Sequence, residues 1–291
     1  MKAGTTTLFR DLGTQPKVFF PFHKEPHNLC YDEVFTPRGL ARYARLFHKA
    51  CAGQLIGEAS TGYAKLPTIP EVAGRARQVL GPELKIIYSV REPVARALSH
   101  HFHMHLAGLA PADFGETLRQ LPDLINFGRY AMQLGPWIEA FDREQIHVVH
   151  FETYAGGRMT GLSEMCKFLG IVDQPELIQQ ERSFNAAQDK RKIPPWLAST
   201  WRKVIWTPFY RNTVRPLVPD RLILMLKKTL LRPVAVPPSP PAPAVIDLLI
   251  DAFRDDAERL RQIMGWDKPV WDFEKVRAKY LYAEHPSGAI T

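Results

Sequence analysis

A lysine, a glycine and three consecutive threonines open the chain. Lys2-Ala3-Gly4-Thr5-Thr6-Thr7-Leu8 runs directly into a helical pattern, Thr-Thr-Leu-Phe-Arg-Asp-Leu. These are the residue types of an anion-binding loop. Glycine lets the backbone approach a phosphate or sulfate closely, and the first unpaired N–H groups of the helix point at it. Threonine hydroxyls add donors and the lysine adds a positive charge. A second group with the same chemistry is Arg91-Glu92-Pro93-Val94-Ala95-Arg96-Ala97-Leu98-Ser99. Arg91 stands where an apolar run ends, and Ser99 follows about two helical turns later, so both can reach one anion. Taken alone, an arginine at a strand end is equally a partner in a structural ion pair.

The elements that must carry these residues alternate. Lys17–Phe20 and Gln54–Gly57 read as short strands, the second leading to Glu58. Residues 71–80 read as a helix. Lys85–Val90 is an apolar run bounded by Pro82 and Pro93, a buried strand, and Pro93 sits near the first turn of a following helix. Residues 130–142 have the spacing of an amphipathic helix through Tyr130, Leu134, Trp137, Ile138 and Phe141. Ile146–Phe151 is a further strand and residues 160–169 a further helix. Strand–helix alternation predicts an α/β fold, a three-layer sandwich whose central, mostly parallel sheet is flanked by helices, with ligands at the carboxyl ends of the strands. An anion loop of this type hangs from such a strand. None precedes Lys2, so a strand of about ten residues with its lead-in is expected upstream.

Composition narrows the ligand. A net charge of +8 over 291 residues favours acidic partners such as phosphates, sulfated or nucleotide ligands, nucleic acid or anionic membrane. The hydrophobic share of 45% and charged share of 23% fit a globular chain read here as one domain over 1–291. Cys30, Cys51 and Cys166 are too few and too scattered for a disulfide framework or a zinc site. The sequence shows no signal-peptide pattern and no apolar run of membrane-spanning length. A cytoplasmic location is the expectation.

Together the two anion motifs resemble those of sulfotransferases that use 3′-phosphoadenosine 5′-phosphosulfate (PAPS). Residues 2–8 are similar to that family's 5′-phosphosulfate loop, Lys-x-Gly-Thr-Thr/Ser-x-Leu, and residues 91–99 to its 3′-phosphate segment, Arg-x-Pro-x-x-Arg-x-x-Ser. Lys24-Glu25-Pro26-His27 resembles the segment of glycan-type members in which the glutamate acts as base. Phe127–Leu134 and Leu260–Trp271 resemble bacterial members. The resemblance implies a P-loop-like sandwich without its first strand. It implies that Lys2 binds the 5′-phosphosulfate and steadies the leaving phosphate, that Ala3, Gly4, Thr5, Thr6 and Thr7 line that site, and that Arg91 and Ser99 hold the 3′-phosphate. It further implies that Glu25 takes the proton of an acceptor hydroxyl or amine as it attacks sulfur in line, with His27 the rival base. Such a transfer rests on positioning and electrostatics and needs no metal. Lys190 and Arg191, in a basic stretch at 183–192, stand where the family folds a loop over the nucleotide. A solvated charge run is the alternative there.

One segment departs from the pattern. Glu58-Ala59-Ser60-Thr61-Gly62-Tyr63 matches a family stretch reading Glu-Lys-Ser/Thr-Pro-x-Tyr, with Ala59 in place of the lysine and Thr61 in place of the proline. Either acceptor binding differs, or Lys65 or Lys24 substitutes. His100, His101, His103 and His105 have no third zinc-type ligand at a recognisable spacing and are expected to face the core or the acceptor cleft. Residues 196–232 hold eight Lys/Arg and one Asp, with Trp196, Trp201 and Trp206 interleaved. They are expected to form a helical cap, with peripheral membrane contact as the alternative and no nucleic-acid module in support of a third. A Pro-rich loop at 232–244 then precedes a long amphipathic helix from Val245 to Met264, closed by Gly265.

The expected partners are therefore PAPS, its product PAP and a carbohydrate or glycolipid-like acceptor. A PAP- or PAPS-binding protein without transfer activity is the alternative of a different class. A P-loop kinase or NTPase is disfavoured, because Gly-x-x-x-x-Gly-Lys-Ser/Thr and a Mg²⁺-holding Asp after a strand are absent from the sequence.

Overall fold

A computed structural model describes residues 1–178, 191–192, 232–233 and 241–281. In chain order they form α1 (Thr5–Leu12), β1 (Val18–Phe19), α2 (Pro37–Arg45), β2 (Leu55–Ile56), α3 (Val72–Leu80), β3 (Ile86–Val90) and α4 (Pro93–Leu106). There follow α5 (Phe114–Gln120), α6 (Asp123–Asn126), α7 (Tyr130–Ala140), β4 (Ile146–His150), α8 (Phe151–Gly156) and α9 (Arg158–Leu169). The last are β5 (Arg191–Lys192), β6 (Arg232–Pro233), α10 (Pro243–Met264) and α11 (Phe273–Leu281).

The central ladder is β3 beside β4, parallel, in register from Ile86–Ile146 to Val90–His150. Side chains alternate across a strand, and here the alternation sorts two cores. Ile86, Tyr88, Val90, Ile146 and Val148 join Leu134, Trp137, Ala76 and Leu260 on one face. Ile87 and Val149 join Leu8, Leu12, Leu162, Met165 and Cys166 on the other. With α3 and α7 on one side and α1 and α9 on the other, both faces are covered, which is the three-layer arrangement the strand–helix alternation predicts. A third core lies between α4, α6, α10 and α11, through Val94, Ala97, Leu124, Leu249, Phe253 and Val276.

β1 and β2 form a second parallel pair, Val18 opposite Leu55 and Phe19 opposite Ile56. The short β5 and β6 pair antiparallel. Helix ends follow ordinary capping physics. Asp256 of α10 accepts the first amides of α7, from Ala131 and Met132, each at 2.9 Å. Gly265 ends α10 in the left-handed region at φ 67. The Pro-rich stretch is shorter than its composition suggests: Pro243 already occupies the first turn of α10, where a missing N–H costs nothing. The expected cap at 196–231 and Lys190 lie outside the described residues. Among the described residues no helix is long and apolar enough to cross a membrane.

Candidate active site

Residues with the right chemistry follow the carboxyl ends of the parallel strands. Lys24, Glu25 and His27 come after β1, Glu58 after β2, Arg91 and Glu92 after β3, and Glu152 after β4. This is where parallel α/β folds bind ligands.

The anion loop rests on Phe151. Gly4 is the N-cap of α1 with φ 74, and a Cβ there would meet Phe151 Cδ2 at 2.3 Å. Only glycine satisfies both the left-handed backbone and that contact. The Arg91 guanidinium lies over the same ring, 4.9 Å from its centroid, and its Nη1 donates to the Lys2 carbonyl at 3.1 Å. Ser89 of β3 donates to the carbonyl of buried Ala3. The Tyr130 hydroxyl grips Arg91 from behind, accepting from its N–H at 3.1 Å and donating to its carbonyl at 2.8 Å. The loop and Arg91, separated by most of a hundred residues, are thus one body. The first turn of α1 contains no acidic residue and no side-chain cap, so the N–H groups of Thr5 and Thr6 have no partner inside the helix. This cradle fits an anion.

The N-terminus of α4 is different. Glu92 caps it with its own carboxylate, which accepts from Val94 N at 2.6 Å and Ala95 N at 3.0 Å. An anion near α4 must therefore be met by side chains. Ser99 is half-buried on α4, between Arg96 and His100 in position. Arg96 is fully buried. It donates to the Leu124 carbonyl, sits 3.5 Å from His100 Nδ1 through Nη1, and leaves Nε without a partner. Among the described residues no carboxylate pairs with it. A buried arginine keeps its charge, so Arg96 sets a positive potential behind the loop. Burial and then the Arg96 charge push the His100 imidazole down to about 2, so it is neutral. Arg191 lies in β5, which runs beside α4.

Glu25 is within electrostatic reach of the Met1 amine, as are Arg96, Lys65 and Lys24. Lys24 Nζ is 2.9 Å from Glu25 Oε1. Thr61 donates to Oε2 at 3.0 Å and His27 Nε2 lies 3.4 Å from the same oxygen. Burial alone would raise the carboxyl. The His27 hydrogen bond, the Lys24 charge and hydrogen bond, and the Thr61 hydroxyl together outweigh it and hold Glu25 well below the usual carboxylate range. Glu25 is therefore ionised, paired with Lys24 and in contact with the His27 ring and the Thr61 hydroxyl.

Lys2, Glu25 and His27 share a further property: each is a non-glycine residue at positive φ, 69, 66 and 58. Such conformations cost about 1–2 kcal/mol each and cluster at functional sites. Gly62 makes room for the His27 ring, since a Cβ there would lie 2.6 Å from Nδ1. Ser60, which keeps the resembled pattern, and Thr61, which departs from it, tie this turn down. Lys65 lies over the Phe127 ring at 5.9 Å from its centroid. His101 and His105 meet the carbonyls of Pro111 and Ala110 at 3.0 and 3.1 Å, which holds the end of α4 to the loop after it.

Known proteins resemble this arrangement. The sulfotransferase domain family model matches residues 72–197. Mouse heparan sulfate glucosamine 3-O-sulfotransferase 6 is 32% identical over 193 residues, covering 58% of this chain and 50% of that protein. Its human counterpart is 30% identical over 162 residues, covering 53% and 41%. The crystal structure of a sulfotransferase from Alicyclobacillus acidocaldarius shares the fold, with a TM-score of 0.62 at 23% identity over 92% of this chain and 93% of that one. The chain spans about half the length of the curated relatives it matches.

Proposed function

From the match of residues 72–197 to the sulfotransferase domain model and the likeness to heparan sulfate glucosamine 3-O-sulfotransferases, we propose that this chain moves a sulfuryl group from PAPS to a hydroxyl or amine of a carbohydrate-like acceptor. The observation that carries this reading is an anion cradle locked to Arg91, with an ionised Glu25 within electrostatic reach of the amine that begins the same loop. When bound, PAPS supplies an activated sulfuryl group on a phosphate leaving group. Gly4 and the N–H groups of Thr5 and Thr6 receive the 5′ oxygens, helped by the hydroxyls of Thr5, Thr6 and Thr7 and the backbone of Ala3. Lys2 neutralises charge on the leaving phosphate. Arg91 and Ser99 hold the 3′-phosphate, and the basic residues Lys190 and Arg191 remain the candidates for a further nucleotide contact. Glu25 accepts the acceptor's proton while a new bond to sulfur forms and the bond to phosphate breaks. Its low pKa keeps it ionised at all working pH values, at some cost in basicity. His27 orients it. A sugar acceptor is supported by the glucosamine sulfotransferase relatives, and an anionic one by the net charge of +8.

Calorimetry with PAP is the first test, and binding at submillimolar PAP is expected. Absence of binding would sink the reading. Glu25→Gln is the second: with PAPS and a panel of glycans, kcat is expected to fall roughly 10²–10⁴-fold while PAP affinity stays within about twofold. Binding of PAP by the unaltered protein without transfer to any acceptor would favour the second reading, a donor-binding protein, to which Ala59 in place of the family's lysine gives weight.

A further inference from the structure

Glu25 and His27 hold left-handed backbones on either side of Pro26. Short turns do not keep two such residues in place unaided, and three consecutive residues after β2 do it. The Ala59 carbonyl accepts from Glu25 N at 2.9 Å, Ser60 Oγ accepts from His27 N at 3.1 Å, and Thr61 donates to the Glu25 carboxylate. Behind them lies Glu58. Its Oε2 accepts from Ser60 Oγ at 2.9 Å, and its Oε1 accepts from the hydroxyls of Tyr63 and, at 3.2 Å, Tyr43 of α2. The Tyr63 oxygen in turn accepts from Leu29 N at 3.4 Å.

The directions of these bonds matter. An ionised Glu58 can only accept, so the Ser60 and Tyr63 protons turn toward it. Their lone pairs are then left facing the amides of His27 and Leu29. A protonated Glu58 donates to one of its three hydroxyl partners, and donation to Ser60 or Tyr63 reverses that hydroxyl and unsettles the turn. We propose, resting on the functional reading above, that Glu58 is a positioning residue whose negative charge holds Glu25 and His27 in their proton-accepting geometry. The groups facing it are Tyr43 from α2, Ser60 and Tyr63 from its own loop, and the His27 imidazole. Burial raises its pKa, and the hydrogen bonds from Tyr63, Ser60 and Tyr43 offset this only in part. A carboxyl with a raised pKa loses its charge as pH falls through that value. Glu25, held low, keeps its own charge further down. Of Glu58 and Glu25, Glu58 is the one expected to set an acid limb of kcat.

The test uses Glu58→Gln and Ser60→Ala in the full chain. Hydrogen exchange at the His27 and Leu29 amides is expected to quicken at least tenfold in Glu58→Gln, and at His27 in Ser60→Ala, with α1 unchanged. With PAPS and an acceptor, both variants lose about tenfold or more in kcat at unchanged PAP affinity, and Glu58→Gln flattens the acid limb. Unchanged exchange, or an acid limb that persists in Glu58→Gln, overturns the proposal. Should Glu58→Gln fail to fold, Ser60→Ala carries the exchange result alone. Exchange needs no turnover: if the unaltered protein transfers nothing, the functional reading fails while Glu58 is still judged. If transfer occurs and the variants behave as the parent, only the role of Glu58 falls.

Discussion

The two halves of the site are built by different means. The anion cradle is held by regular elements: Gly4 begins α1, Ala3 is bonded to β3, Arg91 extends from β3, and Phe151 follows β4. Its geometry comes from a helix terminus and parallel strands, backed by the core under Leu8 and Leu12. The half proposed to accept the proton hangs on turns. β1 and β2 supply two residues each, and beyond them Glu25 and His27 are fixed by side-chain hydrogen bonds and carry strained backbones. A site that needs a fixed electrostatic cradle gets it from backbone, whereas a site that needs a tuned proton acceptor gets it from side chains whose protons can turn.

The sharpest break of that contrast uses Asp11, at the buried end of α1. Its carboxylate takes Arg158 Nη2 at 2.6 Å and Nε at 3.0 Å, and the Tyr154 hydroxyl at 2.5 Å, which bolts α1 to α8 and α9. Asp11→Ala removes this anchor of Arg158 and Tyr154 and is expected to cost about 1–3 kcal/mol in urea unfolding. PAP affinity should fall with it, while exchange at His27 stays slow. A loosened His27 would mean that the halves are one unit. Arg91→Lys is the next largest. Lysine keeps the charge but loses the planar stack on Phe151 and the fixed fork. PAP affinity should drop roughly 10–100-fold, on the scale of a lost charge-assisted hydrogen bond, with kcat at saturating PAPS within about threefold. A matching fall in kcat would place Arg91 in the transition state as well.

The same contrast explains what could be read without coordinates. The strand at Lys85–Val90, the proline-started helix after it and the glycine-closed helix ending at Met264 announce themselves through apolar periodicity and caps, and the cradle borrows that regularity. Gly4 and Arg91 were legible because each lies in a short motif at the end of a regular element. Phe151 as the shared platform was not, since nothing in a phenylalanine says that a glycine and a guanidinium will rest on it. Nor were Ser60 and Thr61 legible as ties to His27 and Glu25. A hydroxyl pointing at an amide more than thirty residues away has no local pattern. Glu58 offered one signal, its place just past the carboxyl end of a strand, and the substituted Ala59 beside it drew attention away. Arg96 reads as one more basic residue on a helix, and only burial without a counter-ion turns it into a source of potential.

Acid titration separates the halves in the smallest but cleanest way. His100 is buried beside Arg96, its pKa depressed to about 2, against an unfolded value near 6.5. Between those values the unfolded chain binds a proton that the folded chain refuses. Stability therefore rises with pH across that window, by about 1.4 kcal/mol per unit from this one group. The contribution is complete above about pH 6.5 and is lost progressively as pH falls toward 2. Replacing the imidazole by a group that does not titrate removes the slope and leaves the rest. His100→Gln is expected to lose some stability at pH 7 and to show a shallower fall between pH 6.5 and 4, read by urea midpoints at half-unit intervals. Its effect on the acid limb of kcat should be nil if that limb reports Glu58, as proposed. A limb that moves with His100→Gln would show that the charge around Arg96 is felt at Glu58 and that the two regions titrate as one.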